Sequence, residues 1–510
     1  MMSGKNILVI NPAELVADDG SEQSVRSDSL RRFSFLLLSF IEEITDRAPT
    51  YFRLHRLTLR LNSASELNII STGRAAEMIF KIAAQPHTLN QCQHLASLQT
   101  IHLKEYLSAA ASLFGVELGY ARETEQLNAI DLLFYRQYSA FDFNFKNCGT
   151  VACQEALSDV PPSNDDSAFD VTLKSLAQLL VDEYHRHREK HSRRVSEAID
   201  TLEKGQVELP GNHTLNYYIG GKGEQTLLIV NAYGQGLGYW TKLMAELMED
   251  HRVIVWLPRD HEHDAVGVNQ FNPVGVHAED LNCLLLHLGI ENCDLLGWCT
   301  GPKLLLEFYA RYPEKVSSMI FLNGTFKTVG DHQYLETEYE SSLEPLFKLV
   351  NEMPHVAPLL IDSLKAVLLK QKLSREVAES PSLMGEEQLS EVLSSINTSL
   401  QEFVIEPFST ERSVVNYARQ LLDFWSHDIA SLLPCVQVPV LLIGGECDKI
   451  ASPQMSKTLS HLIPRAKHLE VRGGSHYLQY EKYELMTAII KNFTTNPRDF
   501  DFDHELLKPH

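Results

Sequence analysis

The chain's most reactive combination of residue types is Gly297-Trp298-Cys299-Thr300-Gly301, a cysteine between two glycines. It follows the apolar run CDLL directly and precedes the helical pattern PKLLLEFYARY. Glycines at those positions allow a tight turn in which other side chains would clash around the exposed thiol. A cysteine acts as a nucleophile through its thiolate, so it needs a base and nearby positive charge. Two later segments can supply them. GGECDKIAS (444–452) offers Asp448, with Glu446 as a nearby alternative, and RGGSHYLQYEKYE (472–484) offers His476. Each of the three segments follows a run that reads as a strand, so a nucleophile, an acid and a base would all sit at strand ends.

The elements that must hold them follow from periodicity. After Pro210 and Gly211 the chain alternates strand and helix: Leu215–Ile219 and TLLIVN (226–231) as strands, 239–248 as a helix, RVIVWL (252–257) as a strand, 277–288 as a helix. CDLLG (293–297), a helix over 303–312 and VSSMIFLN (316–323) continue the pattern. Continuous apolar runs of this kind fit strands buried on both faces of a parallel sheet with helices on either side. The rhythm breaks from 326 to 430, a helical and acidic insertion expected to act as a lid, and resumes with VPVLLIGG (438–445), a strand over 467–471 and a helix over 483–493. The expected architecture is therefore α/β: a core of 212–325 and 431–495, a lid of 326–430, a tail of 496–510, and a mainly helical N-terminal domain of 1–205. Residues 50–61 alternate enough for a strand, and SDVPPSNDDS (158–167) reads as an exposed loop.

The strand–turn–helix setting of GWCTG, together with the chain order Cys299, Asp448, His476, resembles the α/β-hydrolase superfamily, with cysteine replacing the serine of its G-x-S-x-G nucleophile elbow. The resemblance covers roughly residues 212–495. It implies that Cys299 attacks, that His476 takes its proton, and that Asp448 fixes the imidazole tautomer. It also implies an oxyanion hole made by the backbone N–H groups of Tyr233, or an immediate neighbour on that loop, and of Thr300. The loop reads Asn231-Ala232-Tyr233-Gly234 where many members have His-Gly at the first two positions. Trp298 and Trp240 are candidates for the acyl pocket. Residues 1–205 resemble no family.

An adjacent imidazolium and a helix N-terminus both favour a thiolate. Exchange of an acyl group between two thiols is nearly balanced, so a cysteine elbow favours acyl transfer over plain hydrolysis. In this respect the elbow is similar to the cysteine-bearing acyl and aminoacyl shuttles and thioesterases of nonribosomal peptide and polyketide pathways, which act on phosphopantetheine arms of carrier proteins. Polyhydroxyalkanoate synthases have a further glycine where this chain has Pro302; dienelactone hydrolases are much shorter. The expected partner is thus an acyl- or aminoacyl-thioester on a carrier protein. Two other classes stay open: a hydrolase of small esters, lactones or carbon–carbon bonds, and a scaffold that keeps the fold without activity.

Composition narrows the field. The 510 residues carry 45 basic and 67 acidic side chains, a net charge of −22, which argues against nucleic acid or an anionic membrane as partner. A carrier protein, itself often acidic, would need a local basic patch such as Arg186, Arg188, Lys190, Arg193 and Arg194, which otherwise reads as a solvated helix face. Eight irregularly spaced cysteines, no leader-like N-terminus and no long apolar span lead to the expectation of a cytoplasmic protein. Neither G-x-G-x-x-G nor a P-loop is present, so no cofactor is expected. No metal site is expected either: His187 and His191 lack the glutamate of the zinc-protease pattern, Cys148 and Cys153 lack a second pair, and His261-Glu262-His263-Asp264 reads as a polar loop.

Overall fold

The apolar runs of the second half become the inner strands of one eight-stranded sheet in the computed structural model. The structure describes residues 9–12, 14–16, 28–47, 51–60, 66–71, 76, 79–80, 92–95, 100–121, 127–137, 173–210, 213–258, 273–330, 336–368, 398–502 and 507. The 158–167 loop, Cys148, Cys153 and His261–Asp264 lie outside them.

The strands are β1 (Glu203–Leu209), β2 (His213–Gly220), β3 (Gln225–Val230), β4 (His251–Trp256), β5 (Cys293–Trp298), β6 (Val316–Leu322), β7 (Val440–Gly445) and β8 (Ala466–Val471). They lie in the order β1-β2-β4-β3-β5-β6-β7-β8. β1–β2 and β2–β4 are antiparallel, and all pairings from β4 to β8 are parallel. Leu227 to Val230, Val253 to Trp256 and Leu441 to Ile443 are all buried, as strands covered on both faces require. β1 begins before Pro210 and Gly211, where the sequence placed the start of the core. It is an edge strand that buries only Val207 and Leu209 among polar neighbours, so its apolar signal is weak.

The covering helices are α1 (Thr241–Leu247), α2 (Val274–His287), α3 (Gly301–Arg311), α7 (Pro453–Leu462) and α8 (Tyr483–Thr495); between β6 and β7 lie α4 (Glu338–Glu352), α5 (Ala357–Leu368) and α6 (Glu411–Ser426). Capping boxes at Thr337/Glu340 and Thr410/Ser413 start α4 and α6. No helix among the described residues is long and apolar enough to cross a membrane.

Most residues up to His191 form a separate compact unit. Its helices include Asp28–Arg47, Leu103–Ser112 and Ala129–Gln137. Phe134 packs edge-on against Phe33 and Phe40 at 6.1 and 5.2 Å. Helices dominate this unit, with short strands between them. Leu57–Leu59, inside the segment the sequence marked as strand-like, pairs in parallel with Leu118–Tyr120.

Lys303 ties the helical insertion to the core. It is fully buried on α3, and its ammonium donates to the carbonyls of Lys327, Phe424 and His427. Three carbonyls match the three donors of an ammonium. Burial pulls its pKa down to about 7, against the opposing pull of Glu340, Asp428 and Asp423. Lys303→Met should therefore speed amide exchange at the C-terminal end of α6 while leaving β5–β7 protected, and unchanged exchange there would contradict this anchor. Between about pH 7 and 10 the unfolded chain holds a proton on this lysine that the folded chain has released. The stability of the native protein relative to Lys303→Met should accordingly rise with pH across that window.

Candidate active site

The turn from β5 into α3 forces Cys299 into a left-handed backbone conformation, φ +55°. For a residue with a Cβ this costs about 1–2 kcal/mol, and the flanking glycines make it possible. A Cβ on Gly297 would lie 2.7 Å from backbone atoms of Gly301 and Pro302, and one on Gly301 would lie 2.5 Å from the Val230 carbonyl oxygen. Backbone bonds lock the turn: Cys299 N–H donates to Leu322 O (3.2 Å), and Thr325 N–H donates to Cys299 O (2.9 Å). Cys299 is thereby held just ahead of the N-terminal end of α3.

His476 meets this thiol. Its ring hydrogen-bonds Cys299 on one side, and its Nδ1 lies 2.8 Å from Asp448 Oδ2 on the other. Burial alone would pull the imidazole pKa down. The charges of Asp448 and the Cys299 thiolate, with their hydrogen bonds, outweigh that and raise it to about 10. Asp448 is fixed by four hydrogen bonds: Oδ1 accepts from the Ile450 and Ala451 amides at 2.8 and 2.9 Å, and Oδ2 accepts from Asn323 Nδ2 and His476. Glu446, the alternative acid, instead accepts from the Gly473 amide at 2.8 Å.

Asn323 is a site residue that the sequence did not single out. At the end of β6 it takes φ +45° and its amide bridges Asp448 Oδ2 and Ser475 O, each at 2.8 Å. Asparagine is among the few non-glycine residues that tolerate this conformation, and an Asn-Gly pair ending a strand was the available signal.

The loop after β3 is braced by Asn231. Its Oδ1 accepts from Ala232 N (2.9 Å) and Trp240 Nε1 (3.0 Å), and its Nδ2 donates to the carbonyls of Gln235 and Gly236. The Asn that replaces the family's usual His is thus what shapes the loop. Tyr233 N–H points at the elbow and donates to the Thr300 hydroxyl at 3.1 Å. The two expected oxyanion-donor residues are therefore neighbours, with the Thr300 side chain resting on the first donor.

The two tryptophans are packed walls. Trp240 and Trp298 are buried, and their indole N–H groups are taken by Asn231 and by the His476 carbonyl. They position the loop and the histidine. Tyr239, Tyr339, Tyr417 and Tyr477 each feel the charge of Cys299, and burial holds all four phenols protonated. Of the proposed basic stretch, Arg188 pairs with Glu42 and Arg194 with Glu246 and Glu249. Among the described residues no His, Cys, Asp and Glu side chains gather to hold a metal ion.

A family model described as the alpha/beta hydrolase fold matches residues 225–483, half of the chain and six of the eight strands of the sheet. The chain belongs to that family. RutD of Azorhizobium caulinodans, named for carbamate hydrolysis, is 24% identical over 289 residues, covering 56% of this chain and 96% of its own. A 2-hydroxy-6-oxononadienedioate/2-hydroxy-6-oxononatrienedioate hydrolase of Paraburkholderia phymatum is 23% identical over 315 residues, covering 58% and 95%. Among solved structures, a bromoperoxidase from Bacillus anthracis is 16% identical, covers 58% of this chain and 100% of its own, and gives a TM-score of 0.45. These two curated relatives of this α/β hydrolase are named as hydrolases.

The electrostatics make a pH prediction. Asp448→Asn removes a charge that raises the pKa of His476, so the alkaline limb of turnover should move from near 10 toward the ordinary imidazole range of about 6.5. The rate at pH 8 should fall by about 10³-fold or more. A pH–rate profile with an unmoved alkaline limb would contradict the assignment. Asn231→Ala should cost about 10²-fold in kcat by loosening the oxyanion loop, measured beside Thr300→Ala, which should cost far less.

Proposed function

We propose that this α/β hydrolase is a cysteine-dependent acyltransferase or thioesterase that takes an acyl group from a thioester, carried on a phosphopantetheine arm, onto Cys299. The Cys299 thiolate adds to the thioester carbonyl, and the negative charge that develops on its oxygen is met by the amides of Tyr233 and Thr300. The bond between carbonyl carbon and departing sulfur then breaks, and His476 gives its proton to the leaving thiolate. In the second half an acceptor thiol, or water, loses a proton to His476 and attacks the acyl-enzyme, releasing the Cys299 thiolate. Asp448 keeps the imidazole oriented throughout. The helical insertion covers the acyl group during this exchange.

The observation that carries the reading is the hydrogen bond between the half-buried Cys299 and the buried His476 imidazole, whose pKa is raised to about 10. A proton already on His476 suits expulsion of a thiol. Transfer to a second thiol follows from the near balance of thiol-to-thiol exchange. Hydrolysis of a small ester or of a carbon–carbon bond is the second reading, favoured by the activities for which the curated relatives are named.

Intact-protein mass spectrometry separates these readings. Native protein mixed with acyl-loaded carrier proteins or coenzyme A thioesters should gain the acyl mass, and Cys299→Ala should not. An unloaded second carrier should then remove the adduct faster than water does. Turnover of small chromogenic esters with no adduct from any thioester would favour the second reading.

A further inference from the structure

The helical insertion contributes a facing pair of phenols to the site. Tyr339, on α4, and Tyr417, on α6, bring their hydroxyls to 3.4 Å of each other. Tyr417 lies over the oxyanion loop: a Cβ on Gly234 would fall 3.2 Å from its Cδ2. The core contributes a second pair. Tyr477 directly follows His476, and its ring stacks on Tyr239 at 5.6 Å and 8°. Tyr239 in turn lies 4.8 Å from Trp298 of the elbow. The pairs face one another, since Tyr339 acts electrostatically on Tyr477 and Tyr239 on Tyr417, and all four act on Cys299.

We infer that the Tyr339–Tyr417 pair, opposed to Tyr239 and Tyr477, is a recognition site for an acyl group bearing a neutral oxygen substituent, a hydroxyl or oxo group close to the thioester carbonyl. The inference rests on the acyl-thioester reading and specifies its substrate class. A buried phenol offers one donor and accepts in return. A purely aliphatic acyl chain would leave the spare donors and acceptors of these hydroxyls without a ligand partner. A substituent oxygen satisfies them. A cationic amine beside the carbonyl would instead approach the His476 imidazolium, so the oxygen class is favoured over an aminoacyl group. Sites that hydrogen-bond a substrate group reject analogues lacking it far more strongly than apolar pockets sort chain length.

The test compares 3-hydroxybutyryl-, butyryl- and aminobutyryl-coenzyme A as donors, reading acylation of Cys299 by intact mass in the native protein and in Tyr339→Phe, Tyr417→Phe and the double variant. The native protein should acylate at least about tenfold faster with the hydroxyacyl donor than with butyryl. The double variant should lose that preference, the hydroxyacyl reaction slowing at least about tenfold more than the butyryl reaction, with an unchanged circular dichroism spectrum and melting temperature as the control for an intact core. Acylation with no preference in the native protein, a preference for the aminobutyryl donor, or equal slowing of all donors in the variants would overturn the inference and leave the acyl-enzyme standing. No acylation by any donor would overturn both.

Discussion

The left-handed backbone at Cys299 is the constraint on which the site depends. It is reached only because β5 must pass straight into α3 with glycines on either side, one of them against the β3 backbone. That turn lifts the thiol out of the sheet, sets it before the N-terminus of a helix, and leaves its amide and carbonyl bonded to the end of β6 and the residues beyond it. The strain of about 1–2 kcal/mol is stored in a position that the surrounding bonds over-determine, as functional sites commonly do. A second left-handed residue, Asn323, repeats the device one strand over and aims its amide at Asp448. The parallel sheet thus brings Cys299, Asp448 and His476 together from the ends of β5, β7 and β8, with β6 bracing them.

The helical insertion is bonded into this arrangement from two directions. Lys303, four residues after the nucleophile, holds carbonyls at the end of α6. At the other side Glu406 accepts from the Gly236 amide, Phe403 sits where a side chain on Gly238 would be, and Pro407 and Tyr417 press on Gly234. The insertion therefore shapes the loop that follows β3. Movement of the insertion and geometry of the loop are coupled through these contacts, so loosening one should be felt at the other.

Much of the frame was legible in the sequence because its signals are local. Continuous apolar runs announce buried parallel strands, and GWCTG between a strand and a helix announces a constrained nucleophile. Asp448 and His476 were readable from the loops that follow β7 and β8. What escaped reading depends on tertiary neighbours. β1 hides its two buried side chains among glutamates and lysine at a sheet edge. Lys303 looks like a surface charge until α3 is packed beneath the insertion. The tyrosines come from four distant segments, and nothing in their spacing says that they face one thiol. Trp298 and Trp240, which stood out because tryptophan is rare in the chain, proved to be fully packed, with their N–H groups committed to holding neighbouring elements in place.

The most direct measurement is the rate at which iodoacetamide alkylates Cys299 at pH 6, followed by peptide mass spectrometry with the exposed Cys435 as an internal benchmark. Cys299, hydrogen-bonded to the His476 imidazole, should react much faster than Cys435, and His476→Ala should abolish the difference. Alkylation of Cys299 no faster than Cys435, or unaffected by loss of His476, would contradict the account at its centre.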